Sequence, residues 1–231
     1  MHRLPTLLFT CLLLTISSGT SAQSETGITP WFAVSGGFTT YAMGDVNEEI
    51  RALDNLLYAK FNEIKMGLGY VVKAGIDLNQ RYRFSAQIHR CSALSDVHDN
   101  TGSLEYRFPA NAYFLSVTRL PPATSPVLVG IGLSGGIIKE DGTITLAFVG
   151  EGSATRNLTG AGPYIDAHLT FDFILSRGFT LFANSAYRSA KISKVEIGGE
   201  RVRKEDGSNY SIDYSGFVFQ VGLMFRFPKR M

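Results

Sequence analysis

The side chains that could do chemistry recur at alternate positions of short segments along the chain. Asp166, His168 and Asp172 are separated by two and four residues, so a β-strand would place all three on one face. Two carboxylates and an imidazole that share a space could hold a metal ion or transfer a proton. The same spacing in other segments extends this face to nine residues, which are Lys73, Asp77, Arg83, His89, Asp166, His168, Asp172, Arg188 and Arg226.

These nine residues carry both signs of charge, and this mixture decides how we interpret them. An enclosed charge that has neither a partner nor water is strongly unfavourable, so cations and anions that share an interior should pair. We therefore expect a network of ion pairs and hydrogen bonds on this face, and no catalytic or metal site. A conducting or ligand-binding path is the alternative.

Strands with one repeated pattern must position this face. From Phe217 to Phe227 every odd position is apolar, while the even positions include Gln220 and Arg226. Ten residue steps of about 3.3 Å, tilted by about 45°, climb roughly 23 Å, close to the height of the lipid-facing band of a membrane barrel. The pattern predicts eight strands, at 31–41, 65–78, 82–89, 104–119, 127–139, 164–173, 179–192 and 217–227.

The connections between these strands alternate between short and long. Three are short turns, at 79–80, 121–126 and 176–178. Four are long and polar, at 42–64, 95–103, 140–160 and 193–209. Short turns on one rim and long loops on the other are typical of an up-and-down antiparallel transmembrane β-barrel, with the short rim facing the periplasm. Ten strands are the alternative, because 143–149 or 194–203 could extend hairpins beyond the membrane or add a strand pair.

The first long connection contains the helical pattern of the chain. Asp45 is suited to begin a helix, and apolar residues then recur at steps of three and four. This spacing predicts an amphipathic helix of about four turns, which either covers the barrel mouth or acts as a gate or partner-binding element. The apolar stripe consists of Ile50, Leu53, Leu57, Phe61 and Ile64.

The start of the chain has the pattern of a secretory signal peptide. Residues 1–3 are basic, residues 7–16 are mostly apolar and small residues precede Ala22, so we expect cleavage after Ala22 and a single barrel domain at 23–231. Removing 1–22 leaves 21 basic and 20 acidic residues, a balance that argues against nucleic acid as a partner. Cys91 is then the one remaining cysteine, so no disulfide framework or cofactor site is expected.

Aromatic residues fall near both ends of the predicted strands. We expect them to form the two girdles that mark the membrane interfaces of a barrel. The girdle at the long-loop rim would contain Tyr41, Tyr106, Tyr164, Tyr187 and Tyr214, and the opposite girdle Trp31, Phe179 and Phe227.

The two-faced strands, the loop order and the last strand, which ends at 222–227 as Gly-Leu-Met-Phe-Arg-Phe, resemble the small outer-membrane β-barrel families, including the OmpA-like transmembrane barrel. The resemblance covers nearly all of the chain after residue 22. It implies a location in the bacterial outer membrane and assembly by the barrel-assembly machinery, with Phe227 as the aromatic recognition signal.

Three functions are compatible with these patterns, and an enzyme is not expected. The first is a structural, anchoring or surface-interaction protein of the outer membrane, a monomer that contacts outer-membrane lipid and can meet an extracellular partner through its long loops. The second is a narrow pore or transporter for small solutes. The third is a soluble periplasmic lipid-binding barrel of lipocalin type, which would need its apolar face inside.

Overall fold

A computed structural model of the chain describes residues 27–57, 62–79, 81–98, 102–121, 127–148, 152–176, 178–204 and 206–227. The predicted signal peptide, with its cleavage after Ala22, lies outside the described residues, as do Gln80 and most of the predicted turn at 121–126.

The described chain is built from antiparallel strands and one helix. Eight long strands carry the architecture: β1 Ile28–Thr40, β2 Met66–Leu78, β3 Tyr82–His98, β4 Gly102–Arg119, β5 Val127–Phe148, β6 Gly152–Ser176, β7 Phe179–Ile192 and β11 Gly216–Arg226. The remaining elements are α1 Gly44–Leu57, β8 Val195–Ile197, β9 Glu200–Arg201 and β10 Ile212–Asp213.

The eight long strands close into a ring. Neighbours in sequence pair from β1 to β7, β7 pairs with β11, and β11 pairs with β1, all antiparallel. Phe38 opposite Phe219 fixes the register at the closing seam. The prediction of an all-β, eight-stranded barrel with a short helix is therefore confirmed, and the short strands β8 to β10 lie at the long-loop end, which we call the mouth.

The outer surface of the ring is apolar. Alternate side chains on every long strand are exposed, and those on the opposite face are buried. The exposed set includes Val34, Phe38, Leu68, Tyr70, Phe84, Ile88, Leu115, Val117, Ile131, Leu133, Ile165, Leu169, Leu181, Phe219 and Val221. This sidedness is the reverse of what a lipocalin-type barrel requires.

Two predicted loops are largely strand. The segment predicted as a loop at 140–160 continues β5 to Phe148 and begins β6 at Gly152, and the one at 95–103 continues β3 to His98. The prediction failed because the polarity of the two faces is exchanged there: the inward side chains are apolar and the outward ones are polar. Leu146 and Leu158 join the interior, while Thr145 and Thr155 lie on the other face and contact each other at 3.2 Å.

The predicted aromatic girdles are mostly wrong. Trp31 and four of the five mouth tyrosines (Tyr41, Tyr106, Tyr164, Tyr214) are buried in the barrel, whereas Tyr187 and Phe227 are exposed. Their position along the strand suggested an interface, but the alternation of side chains decides the face. Trp31 shares the inward alternation of Ala33 and Ser35.

The helix α1 forms as predicted, with about four turns, but the last residue of the apolar stripe is not helical. It covers 14 residues, and Ile64 lies beyond it in a non-helical segment, although Ile64 is buried. Phe61 falls outside the described residues. Within the described residues, α1 does not have the length or the hydropathy to cross a bilayer as a helix.

Candidate functional site: the lumen and the mouth

The predicted polar residues all lie on the inner face of the barrel. Eight of the nine are buried, and Arg226 is partly buried near the short-turn end. They do not form one cluster. They divide into a lower ion cluster, a middle layer and an upper group below the mouth.

The lower ion cluster joins two cations to two carboxylates. Arg83 donates to both oxygens of Asp77, at 2.8 and 3.1 Å, and contacts Asp172 at 2.8 Å. Arg226 approaches Asp172 at 3.4 Å and Asp77 at 3.7 Å. Asp172 also accepts a hydrogen bond from Thr170 and is fully buried. The cluster therefore crosses the lumen and cancels its own charge.

The middle layer contains an arrangement that resembles a nucleophile–base–acid triad. The Nε2 atom of His168 lies 2.9 Å from Oγ1 of Thr118, and its Nδ1 atom lies 2.9 Å from Oδ1 of Asp166. The second Asp166 oxygen accepts from Tyr164 at 2.9 Å. Two neighbouring cavities of about 20 Å³ each border His168 and Lys73. Each has room for little more than one water molecule, so this geometry cannot admit an organic substrate.

The upper group lacks the matched pairing of the lower cluster. Arg188 is fully buried, donates through Nε to the carbonyl of Tyr214 at 2.8 Å and stacks over the Tyr41 ring at 5.7 Å. His89 is also buried. Tyr214 further donates to the carboxylate of Glu140, which the sequence prediction did not include.

Above this group, the mouth is filled by an apolar plug. Val46 and Ile50 of α1 are fully buried against residues of the upper strands, including Tyr106 and Phe108, with Ile64 in the same cluster. The plug and the lower ion cluster occupy the interior of the barrel at two levels. Sequence analysis missed the plug residues of the upper strands because it expected polar side chains on the inner face. This holds for the lower part of the strands, but in the upper part apolar side chains face inward.

Polar contacts fasten the helix to the mouth. Asn47 binds the backbone of Ile64 twice, accepting from its N–H at 2.8 Å and donating to its carbonyl at 3.1 Å. Glu49 accepts from Tyr106 at 3.2 Å and from Tyr210 at 2.8 Å. Burial and the neighbouring Glu49 raise the pKa of Tyr210 above its usual range.

Asp45 connects the helix to the last long loop. It accepts from the N–H and Oγ of Ser211, at 2.9 and 2.6 Å, and pairs with Lys204 at 2.6 Å. Although burial opposes the charged form, these hydrogen bonds and the Lys204 charge lower the pKa of Asp45 below its ordinary value of 3.8. We call Asp45, Asn47, Glu49 and their partners the latch.

Two further features that the sequence raised are the assembly signal and a possible metal site. Phe227, the predicted assembly signal, follows the last strand, is exposed and donates its N–H to the carbonyl of Pro30 at 3.0 Å. Among the described residues, His, Cys, Asp and Glu side chains nowhere form a group of three that could hold a metal ion.

Comparisons with known proteins give matches among solved structures alone. No family model and no curated protein matches the chain. The similar structures include Neisserial surface protein A, at 12% identity over 87% of this chain and 96% of the other, with a TM-score of 0.42. They also include OprG from Pseudomonas aeruginosa, at 14% identity over 87% and 95% with a TM-score of 0.44. Ail from Yersinia pestis, solved in complex with the heparin analogue sucrose octasulfate, has 10% identity over 88% and 100% and a TM-score of 0.44. All three are small outer-membrane β-barrel proteins.

Proposed function

We propose that the chain is a closed β-barrel of the bacterial outer membrane that acts as a structural or surface-interaction protein rather than as a pore. One observation carries the proposal: a band of exposed apolar side chains surrounds an interior that is polar in its lower part and filled with the apolar side chains of the plug at its mouth. Such a surface is unfavourable in water and stable against lipid.

The height of the band supports membrane insertion. On β5 the outward residues are apolar or glycine from Val127 to Ile137, and Lys139 follows. Ten residue steps on a strand tilted by about 40° span roughly 25 Å, which matches the lipid-facing band of known barrel types. The signal-peptide pattern supports export, and we assign Phe227 to recognition by the assembly machinery.

The closed interior argues against the pore alternative. A solute would have to displace Arg83 and Asp172 from their 2.8 Å contact and then pass the buried Val46 and Ile50 of the plug. The two middle cavities accommodate water but no larger solute. Interaction through the extended strands and loops at the mouth is therefore the better candidate role, with the barrel as a monomeric anchor.

Planar-bilayer recording of the purified barrel tests the proposal. Samples should first migrate differently on a gel before and after boiling, which shows that the barrel is folded. We expect insertion with no stepwise conductance at moderate voltage. A steady open channel would overturn the closed-barrel assignment, and recovery of the exported chain in the soluble periplasm would overturn the membrane assignment.

A further inference from the structure

On one side of the barrel the apolar band changes to charged and polar residues within a single row towards the mouth. Strands β3, β4 and β5 present two successive outward rows to the surroundings, fixed by their register. The lower, apolar row consists of Ile88, Tyr113 and Ile137, which are 41%, 40% and 47% exposed. The next row towards the mouth, which we call the cationic row, consists of Arg90, Asn111 and Lys139.

The cationic row differs from the charged residues of the lumen in having no ion partner. Arg90 and Lys139 are exposed, and none of the ion pairs between described residues involves either of them. The acids on this surface lie further from the apolar row, on the mouth side of the cationic row. Asp141 is two residues beyond Lys139 on β5, and Glu105 is paired with Arg107. The row thus leaves two unpaired cations directly beside the apolar surface.

The spacing of the row suits a phosphate group. Arg90 and Lys139 flank Asn111 on adjacent strands, so their Cα atoms are about 10 Å apart, and their long side chains can converge on one anion. The Arg90 guanidinium can bind two phosphate oxygens at once, Lys139 adds a point charge and Asn111 adds an amide donor. Tyr70, opposite Arg90 on β2 and 54% exposed, supplies a hydroxyl at the edge.

We propose that the cationic row binds the phosphorylated headgroup of a lipid whose acyl chains lie against the apolar row and the band below it. A lipid is favoured over a free anion because the charged row borders the apolar surface without an intervening acid. The site rests on the proposed membrane insertion and adds to it a preferred lipid chemistry.

Native mass spectrometry of the full barrel in neutral detergent micelles tests the site. The probe is phosphatidic acid, with phosphatidylcholine of the same chains as competitor. The double variant R90Q/K139Q should bind phosphatidic acid about 25-fold more weakly than the native barrel, since each surface cation contributes about fivefold. The matched control R156Q/R201Q removes the same charge from exposed sites near the loop tips and should stay within about twofold.

Three results would overturn the proposal. The first is equal phosphatidic acid binding by R90Q/K139Q and the native barrel. The second is equally tight binding of oleate, which would show general attraction of anionic amphiphiles. The third is displacement of phosphatidic acid by millimolar inorganic phosphate, which would assign the site to a free ion. If the native barrel inserts into bilayers but shows any of these results, the lipid site fails while the proposed function stands.

Discussion

Replacing Asp172 by Asn should destabilise the barrel without changing its shape. Asp172 is fully buried and lies within hydrogen-bond distance of Arg83 at 2.8 Å, Arg226 at 3.4 Å and Thr170 at 3.1 Å. The amide keeps the volume but removes the charge, so two arginines would share Asp77 alone. Removing one partner of a buried ion pair costs about 3 to 5 kcal/mol, and the remaining Asp77 places the expected loss near the lower end, at about 3 kcal/mol.

The single tryptophan makes this loss measurable at the site itself. Trp31 is buried, and the Arg83 guanidinium lies 5.3 Å from its ring, so its fluorescence reports on the cluster. Urea unfolding of D172N in lipid vesicles should show a free energy of unfolding lower by about 3 kcal/mol. The control D141N changes an exposed acid on β5 and should cost less than about 0.5 kcal/mol. A D172N barrel within about 1 kcal/mol of the native one would refute the claim that the lower cluster is a closed, mutually compensated network.

Three other perturbations test the outer band and the latch. Leu133→Arg, in the middle of the outward band of β5, should destabilise the inserted barrel by about 2 to 4 kcal/mol in the same urea titration. The control Thr143→Arg, above the band, should cost less than about 1 kcal/mol. Equal costs for the two variants would contradict the assigned membrane position. Asn47→Ala leaves the buried N–H and carbonyl of Ile64 unpaired, so hydrogen exchange of residues 44–57 should speed up by about tenfold or more, with Asn157→Ala as the exposed control. The contact of Asp45 with Lys204 and Ser211 should also depend on pH. Because the pKa of Asp45 is lowered in the folded barrel, the contribution of this contact is complete above about pH 4 and is lost as the pH falls through the folded value. Protection of α1 against hydrogen exchange, taken relative to the intrinsic exchange rate at each pH, should therefore fall in acid in the native barrel and lose this dependence in D45N. Low protection of α1 at every pH in the native barrel would argue against the latch.

Local sequence patterns predict the part of the fold that crosses the apolar band. The strands that cross the apolar band alternate with period two, because one face is apolar and exposed while the other lines the polar lumen. Their ends at the short-turn rim were predicted to within about three residues, whereas β3, β5 and β6 extend well beyond the predicted bounds at the mouth. Above the band this rule no longer applies. Leu158 faces the plug and Thr159 faces outward, so the pattern inverts and a strand resembled a loop.

The sequence predicted which polar residues lie on the inner face, but not which of them form hydrogen bonds with each other. Alternation alone placed Asp166 and Arg188 on the inner face, and they are opposite each other on β6 and β7. Their hydrogen bonds nevertheless go elsewhere, from His168 and Tyr164 to Asp166 and from Arg188 to the Tyr214 carbonyl. Such choices depend on register and on side-chain length, which the pattern of one strand does not contain. Glu140 was missed because it lies in a segment predicted as a loop.

A nitroxide scan along β5 tests the central claim, a barrel inserted through its apolar band, most directly. Labels at positions 127–139, in a Cys91→Ala background that removes the buried free thiol, are read for collision with oxygen, which concentrates in lipid, and with a water-soluble nickel complex. We predict oxygen contact that alternates with period two, is strongest at Ile131 and Leu133, and gives way to nickel contact at Lys139. Nickel contact at Leu133 equal to that at Lys139 would contradict the account.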